Sequence, residues 1–299
     1  MKYIEIAIGS FNGYASYLWN SIINPSWNNY FYYLIILSLF VWVLEVVVPW
    51  RKKQPVFRKD FWLDAFYMFF NFFLFSLVAY NAISNVGVEL FNDLLRLFGI
   101  ENLVAIHVES LPIWSQFLLL FLLADFIQWG VHVILHRVPW MWEFHKVHHS
   151  VREMGFAAHL RFHWMETIFY KTALYLPLTM IGFGIDDFFL LHAFTILIGH
   201  LNHSNINISW GPLKYVLNSP VMHIWHHSKN LPDDRKYGMN YGISLSLWDY
   251  LFGTAHVPHD GRDIELGFDD VADYPDSFVA QMKEPFVKNQ EPKHKSQSF

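Results

Sequence analysis

The stretch IWSQFLLLFLLADFIQWGVHVILHRVPWMWEFHKVHHS, residues 113–150, decides the fold. From Ile113 to Leu135 it is an apolar run in which Asp125 is the sole Asp, Glu, Lys or Arg. At about 1.5 Å of rise per residue, a helix of that length crosses a hydrocarbon core of about 30 Å. The run ends in His132 and His136, and the chain continues into His145, His148 and His149. Residues three and four apart share one face of an α-helix, so HxxxH and HxxHH each aim their imidazoles at a common point. The stretch therefore predicts a transmembrane helix that delivers clustered histidines to a membrane boundary.

Two more spans are predicted before it. Phe31 to Trp50 is apolar with Glu45 as its sole charge, and the basic residues Arg51, Lys52, Lys53, Arg58 and Lys59 follow directly. Short basic connections stay on the cytoplasmic side, which orients the rest of the chain. Ala65 to Ile83 carries no charge and leads outward to a connection with Glu89, Asp93, Glu101 and Glu109 against a lone Arg96. After the central stretch, Lys171 and Asp186 bracket fourteen uncharged residues, and a second apolar run covers Phe188 to Leu201. Both are shorter than the usual span of about 20 residues. They read as a helical hairpin turning at Gly182, Gly184 and Asp186, which returns His200 to the side the chain left. The expected architecture is all-α: an integral membrane bundle of about four spans, counting the hairpin, with a cytoplasmic histidine-rich di-metal helical cap. Three regions follow: an N-terminal membrane region with two spans (1–115), a histidine-box region with the third span and the hairpin (116–260), and a polar C-terminal segment (261–299). The tail from Glu284 to Phe299 has the composition of a disordered segment. The N-terminus lacks the basic, apolar and small-residue order of a cleaved signal peptide, and no fixed-period repeat is present.

Composition agrees with a membrane class. Of 299 residues, 54% are hydrophobic, 19% aromatic and only 16% charged, against about a quarter charged in ordinary soluble domains. A net charge of -5 without a basic stripe excludes a nucleic-acid partner. The absence of cysteine excludes disulfides, thiolate zinc sites and iron–sulfur clusters, leaving imidazole, carboxylate or carbonyl groups to hold any metal.

Histidine, at seventeen copies, is the obvious supply. Five groupings have helical spacing: His132 and His136; His145, His148 and His149; His159 and His163; His200 and His203; and His223, His226 and His227. A mononuclear zinc site takes three or four protein ligands, so twelve imidazoles point to two ions. Imidazole suits zinc, copper, iron and nickel alike, and ligand type alone does not choose among them. His192 stands alone in an apolar run and reads as a core histidine, while His107, His256, His259 and His294 fall in connections or the tail.

From Asp125 to Thr254 the chain resembles the fatty acid hydroxylase and sterol desaturase superfamily of membrane di-iron enzymes. The resemblance rests on Asp125, Trp129, His132 and His136; on Trp142, Phe144, His145, Lys146, Val147, His148, His149 and Ser150; and on Arg161, His163 and Glu166. It continues through His203, Ser204 and Asn205, then Pro220, His223, His226, His227 and Ser228, and closes with Asn240, Tyr241 and Gly242 and with Trp248, Asp249, Leu251, Phe252, Gly253 and Thr254. Val133 stands where Arg is common, Trp164 replaces a frequent Pro, and His159 is extra to the pattern. These departures bear on the substrate subgroup.

The resemblance implies a membrane-bound oxidoreductase that uses dioxygen and two iron ions to hydroxylate or desaturate a lipid. Zinc could stand in for iron in a purified sample. The remaining length shows no cytochrome-like or flavin domain, so the two electrons would come from a separate donor of cytochrome, ferredoxin or reductase type on the cytoplasmic face. The expected ligands, five for each ion, are His132, His136, His145, His148, His149, His200, His203, His223, His226 and His227, with His159 and His163 as further ligands or supports. Ligating imidazoles usually donate their second nitrogen to a carboxylate or carbonyl. Asp125, Glu143, Glu166 and Asp249 are candidates for that role. Asp125 leads them, being ionisable within a span and two turns from His132 on one face. The rivals are a membrane zinc hydrolase, whose HExxH hallmark is absent; a haem protein, which would carry isolated mid-span histidines; and a metal transporter, which would need ionisable groups along the spans. Sterol, fatty acyl, sphingoid, ether lipid and carotenoid substrates are not distinguished, nor is hydroxylation from desaturation.

Overall fold

The computed structural model describes residues 1–26, 29–100, 108–183 and 188–288. Gly184 and Asp186 of the expected hairpin turn, Glu101, His107 and the tail beyond residue 288 lie outside them.

The described residues contain helices and no strand; the sheet-like pairing among them is two isolated bridges, Leu217 with Leu245 and Ser228 with Leu266. Three helices are long and apolar enough to cross a membrane: α2 (Tyr30–Val47), α3 (Phe61–Leu97) and α4 (Ile113–Arg137). The helix α1 (Lys2–Ile23), which precedes them, has no counterpart in the sequence reading. It packs along the far half of α3, and Lys2 reaches Glu89 at 2.6 Å and Asp93 at 2.8 Å. This corrects the second span. Helix α3 does not stop near Ile83 but runs on to Leu97, through two π-helical turns at Phe70–Leu74 and Ser76–Tyr80, so part of the acidic connection is helix.

The junction after α4 has a local cause. A residue before proline is pushed out of the helical region; Val138 accordingly sits at φ -96°, ψ 112°, and Pro139 opens α5 (Pro139–His149). Proline suits a first helical position because its missing N–H has no intrahelical partner there. The chain bends between His136 and His145, and α5 folds back against α4. The same device opens α8 (Pro220–His226), where Ser219 caps the Met222 N–H and Pro220 follows it.

Helices α6 (Trp164–Met180) and α7 (Phe188–His203) are the two arms expected of a hairpin. Helix α6 packs on α4 and α7 on α2. Glu45, near the end of α2, accepts the backbone N–H groups of Phe156 and Asn205 at 2.9 and 2.6 Å. A charge in an apolar span thus ties α2 to the loop before α6 and to the end of α7. The short α9 (Leu247–Leu251) follows. Helix α10 (Phe278–Lys288) then packs on α5, correcting the expectation of disorder from Glu284 for the residues up to Lys288.

Candidate metal centre

The histidine-bearing ends of α4, α5, α7 and α8 converge. His132, His136, His145, His149 and His226 form one buried group, and His148, His203, His223 and His227 form a second. Within each group the potential ligand atoms all lie within 4.8 Å of one another. Helix α5 serves both: His145 and His149, four apart, face the first group, while His148 faces the second. Helix α8 divides in the same way, with His226 in the first and His223, continued by His227, in the second.

In five of these rings the outer nitrogen is held by an acceptor. His132 Nδ1 lies 2.8 Å from the Tyr241 carbonyl and His226 Nδ1 2.8 Å from the Met239 carbonyl. His148 Nδ1 faces the Arg161 carbonyl at 3.1 Å, His203 Nδ1 the Gly199 carbonyl at 2.8 Å, and His145 Nδ1 the Glu166 carboxylate at 2.7 Å. A carbonyl only accepts, so the proton of the neutral ring sits on Nδ1 and leaves Nε2 as a lone pair. Yet Nε2 atoms of rings fixed in this way meet at hydrogen-bond distance: His148 with His203 at 3.2 Å and His132 with His145 at 3.1 Å. Two lone pairs repel at that distance. A cation between them removes the conflict, and nitrogens bound at about 2.1 Å and at right angles lie about 3 Å apart. His136 Nε2 points into the first group with no hydrogen-bond partner among the described residues.

Electrostatics agrees. Burial, reinforced by neighbouring imidazoles, holds His145, His148, His149, His223, His226 and His227 well below the usual imidazole range, so all six are neutral at pH 7. Metal ligation requires the neutral form. The donor set therefore fits two transition-metal ions.

Several expected site residues stand elsewhere. His200 is outside both groups: Nε2 meets Ser38 Oγ at 3.1 Å and Nδ1 the Phe156 carbonyl at 3.2 Å. His163 is also committed, its Nδ1 accepting the Met165 N–H at 3.1 Å and its Nε2 facing the Met282 carbonyl at 3.0 Å, which joins the start of α6 to α10. Its neighbour by sequence, His159, lies at the edge of the second group beside His203. Asp125 does not support His132. Its carboxylate accepts the Ser244 and Leu245 N–H groups and the Trp248 indole. Glu143 pairs with Lys146 at 2.6 Å and reaches no imidazole. Of these four carboxylates, Glu166 is the one that meets an imidazole among the described residues, while Asp249 accepts the N–H groups of Tyr241 and Gly242.

The residues that sequence reasoning overlooked act through their backbone. Met239 and Tyr241, two apart in one loop, turn their carbonyls toward His226 and His132. The loop is shaped by left-handed residues, Gly238 at φ 107° and Asn240 at φ 55°. A Cβ on Gly238 would lie 3.1 Å from His136 Nδ1 as well as straining the backbone. Asn240 is held by donating Nδ2 to the Met222 and His256 carbonyls. The Asn-Tyr-Gly signal was visible, but its carbonyl role carries no side-chain signature.

Residues 117–254, nearly all of the segment that holds these groups, match the family model for fatty acid hydroxylase. This segment is a fatty acid hydroxylase domain. Relatives of the fatty acid hydroxylase domain include the ornithine lipid hydroxylase OlsE of Rhizobium tropici, 33% identical over 180 residues, covering 60% of this chain and 53% of that protein. The alkylglycerol monooxygenase of Homo sapiens is 33% identical over 139 residues, 45% of this chain and 29% of that protein. The Delta(7)-sterol 5(6)-desaturase of Aspergillus fumigatus is 28% identical over 169 residues, 52% of this chain and 42% of that protein. The chain thus spans about half of the first relative and less of the others. No solved structure matches it.

Proposed function

We propose that the chain is a membrane-bound oxygenase that hydroxylates or desaturates a lipid, with two iron ions held by the nine gathered histidines. The observation that carries this reading is the facing of Nε2 lone pairs at 3.1 to 3.2 Å, in pairs whose outer nitrogens already donate to a backbone carbonyl or to Glu166. When bound, the ions supply the redox chemistry toward dioxygen and an unactivated C–H bond that side chains cannot.

The chain's own residues do the holding and the exclusion of water. His132, His136, His145, His149 and His226 keep one ion; His148, His203, His223 and His227 keep the other. Glu166 and the carbonyls of Met239, Tyr241, Arg161 and Gly199 fix the ring orientations. Arg51, just past α2, donates its backbone N–H to Asn205, two residues beyond His203, and the basic residues that follow α2 therefore adjoin the second group, which supports a cytoplasmic placement. A lipid arrives from the bilayer along the spans, and a separate electron donor docks on the histidine-bearing face. The names of the relatives, hydroxylase, monooxygenase and desaturase, support the reaction class.

Lipid profiles of cells with and without the protein, grown under ¹⁸O₂, test the proposal. A lipid that gains a labelled hydroxyl or a double bond only when the protein is present is the expected result; fully active purified protein free of transition metal would end it. Replacing His148 by Ala is expected to abolish turnover and lower bound metal, and full turnover in that variant would remove His148 from the ligand set.

A further inference from the structure

The two groups are unequal, five imidazoles against four. Two further histidines lie beside the smaller one. His200 has both ring nitrogens engaged, by Ser38 and by the Phe156 carbonyl. His159 is different. Its Nδ1 lies 3.3 Å from His200 Nδ1, and its Nε2 makes no hydrogen bond among the described residues. Its ring centroid is 5.3 Å from that of His203, close to the 5.2 Å that separates His203 from His227 inside the group. It is half-buried, whereas the nine gathered histidines are buried.

What puts His159 there is Gly199. A Cβ at position 199 would lie 2.1 Å from His159 Nε2 and 2.2 Å from its Cε1, so the ring occupies the space that any side chain at 199 would take. Position 199 is one turn before His203 on the same face of α7, the face that presents an imidazole to the second group. The chain therefore brings a histidine from the loop before α6 onto a helix face that a glycine leaves bare.

Resting on the two-ion reading above, we propose that His159, through Nε2, is the fifth imidazole of the second ion, and that Gly199 is glycine to admit it. Each ion then has five imidazoles.

The purified protein loaded with zinc as the probe tests this by metal content after equilibration with graded chelator. Wild type is expected to hold two ions per chain. His159→Ala should keep the first ion as wild type does and release the second at a chelator concentration about 100-fold lower, at the upper end of what loss of a mere ring-orienting partner costs. Gly199→Ala should reproduce that pattern, because its methyl excludes the His159 ring. Retention of both ions by His159→Ala with unchanged chelator resistance would overturn the assignment. Fewer than two ions in wild type would instead overturn the two-ion reading itself. If a variant loses both ions by misfolding, a structure of zinc-loaded wild type decides: a His159 nitrogen at about 2.1 Å from the second ion supports the assignment, and one beyond about 4 Å refutes it.

Discussion

Each gathered imidazole has one nitrogen turned inward, and for five of them the outward partner is identified. Four of those partners are backbone carbonyls, and the fifth is Glu166, held 2.7 Å from His145 Nδ1 and itself accepting the His163 N–H. A carboxylate there fixes the tautomer and raises the basicity of the ligating nitrogen more than a neutral amide does. Glu166→Gln, which keeps the volume and an acceptor but removes the charge, is expected to weaken metal retention by the five-histidine group about 10- to 100-fold. Chelator competition measures this, and an unchanged affinity would show that Glu166 only caps α6. The distinction between Glu166 and Asp125 was beyond the sequence. Both lie within helical reach of a histidine, and only the folded chain shows that Asp125 is turned toward the loop of Ser244 to Trp248.

That loop is the decisive element. Asp125 accepts from Ser244, Leu245 and Trp248, and Asp249 from Tyr241, Gly242, Thr254 and Trp129, so two buried carboxylates clamp the segment whose carbonyls orient His132 and His226. Removing one acceptor leaves several buried donors unmet, at about 1–3 kcal/mol each. Asp125→Ala is therefore expected to lower the melting temperature clearly and to loosen metal binding without touching a ligand. A melting curve and metal content equal to wild type would contradict the clamp. A second buried network supports the other side of the site. Arg161 pairs with Asp60 and Asp64 at 3.1 and 3.0 Å, and Arg58 also pairs with Asp64. This holds the segment whose Arg161 carbonyl meets His148. Helix types and spans were legible because apolar length and histidine spacing are local properties. The continuation of α3 and the presence of α1 were not, since they depend on the mutual packing of two amphipathic helices and on Lys2 meeting Glu89 and Asp93.

For the whole molecule, the histidine core carries a cost of its own. Six of the buried imidazoles, His145, His148, His149, His223, His226 and His227, take up no protons near their ordinary value of about 6.5, whereas in the unfolded chain they do. Between about pH 7 and pH 5 the unfolded state thus binds more protons, and stability falls as pH falls. Metal-free protein in detergent is expected to melt at progressively lower temperature from about pH 7 to pH 5. The metal-loaded form should melt higher than the metal-free form at pH 7, because the ions bind the preassembled folded site more tightly than the unfolded chain. A flat profile for the metal-free protein would mean that water reaches these rings and that they protonate in the folded state.

By itself the sequence determined an all-helical chain with spans long enough to cross a membrane and with clustered imidazoles, in the absence of cysteine, as its candidate metal ligands, because span length, composition and three-and-four spacing are properties of neighbours along the chain. Only the tertiary structure decided how the histidines divide into five and four, that His163 and His200 stand aside, and that backbone carbonyls of distant loops hold the rings. Those choices depend on which faces of separate helices meet, and helical spacing says where a side chain points on its own helix but not what it will find opposite.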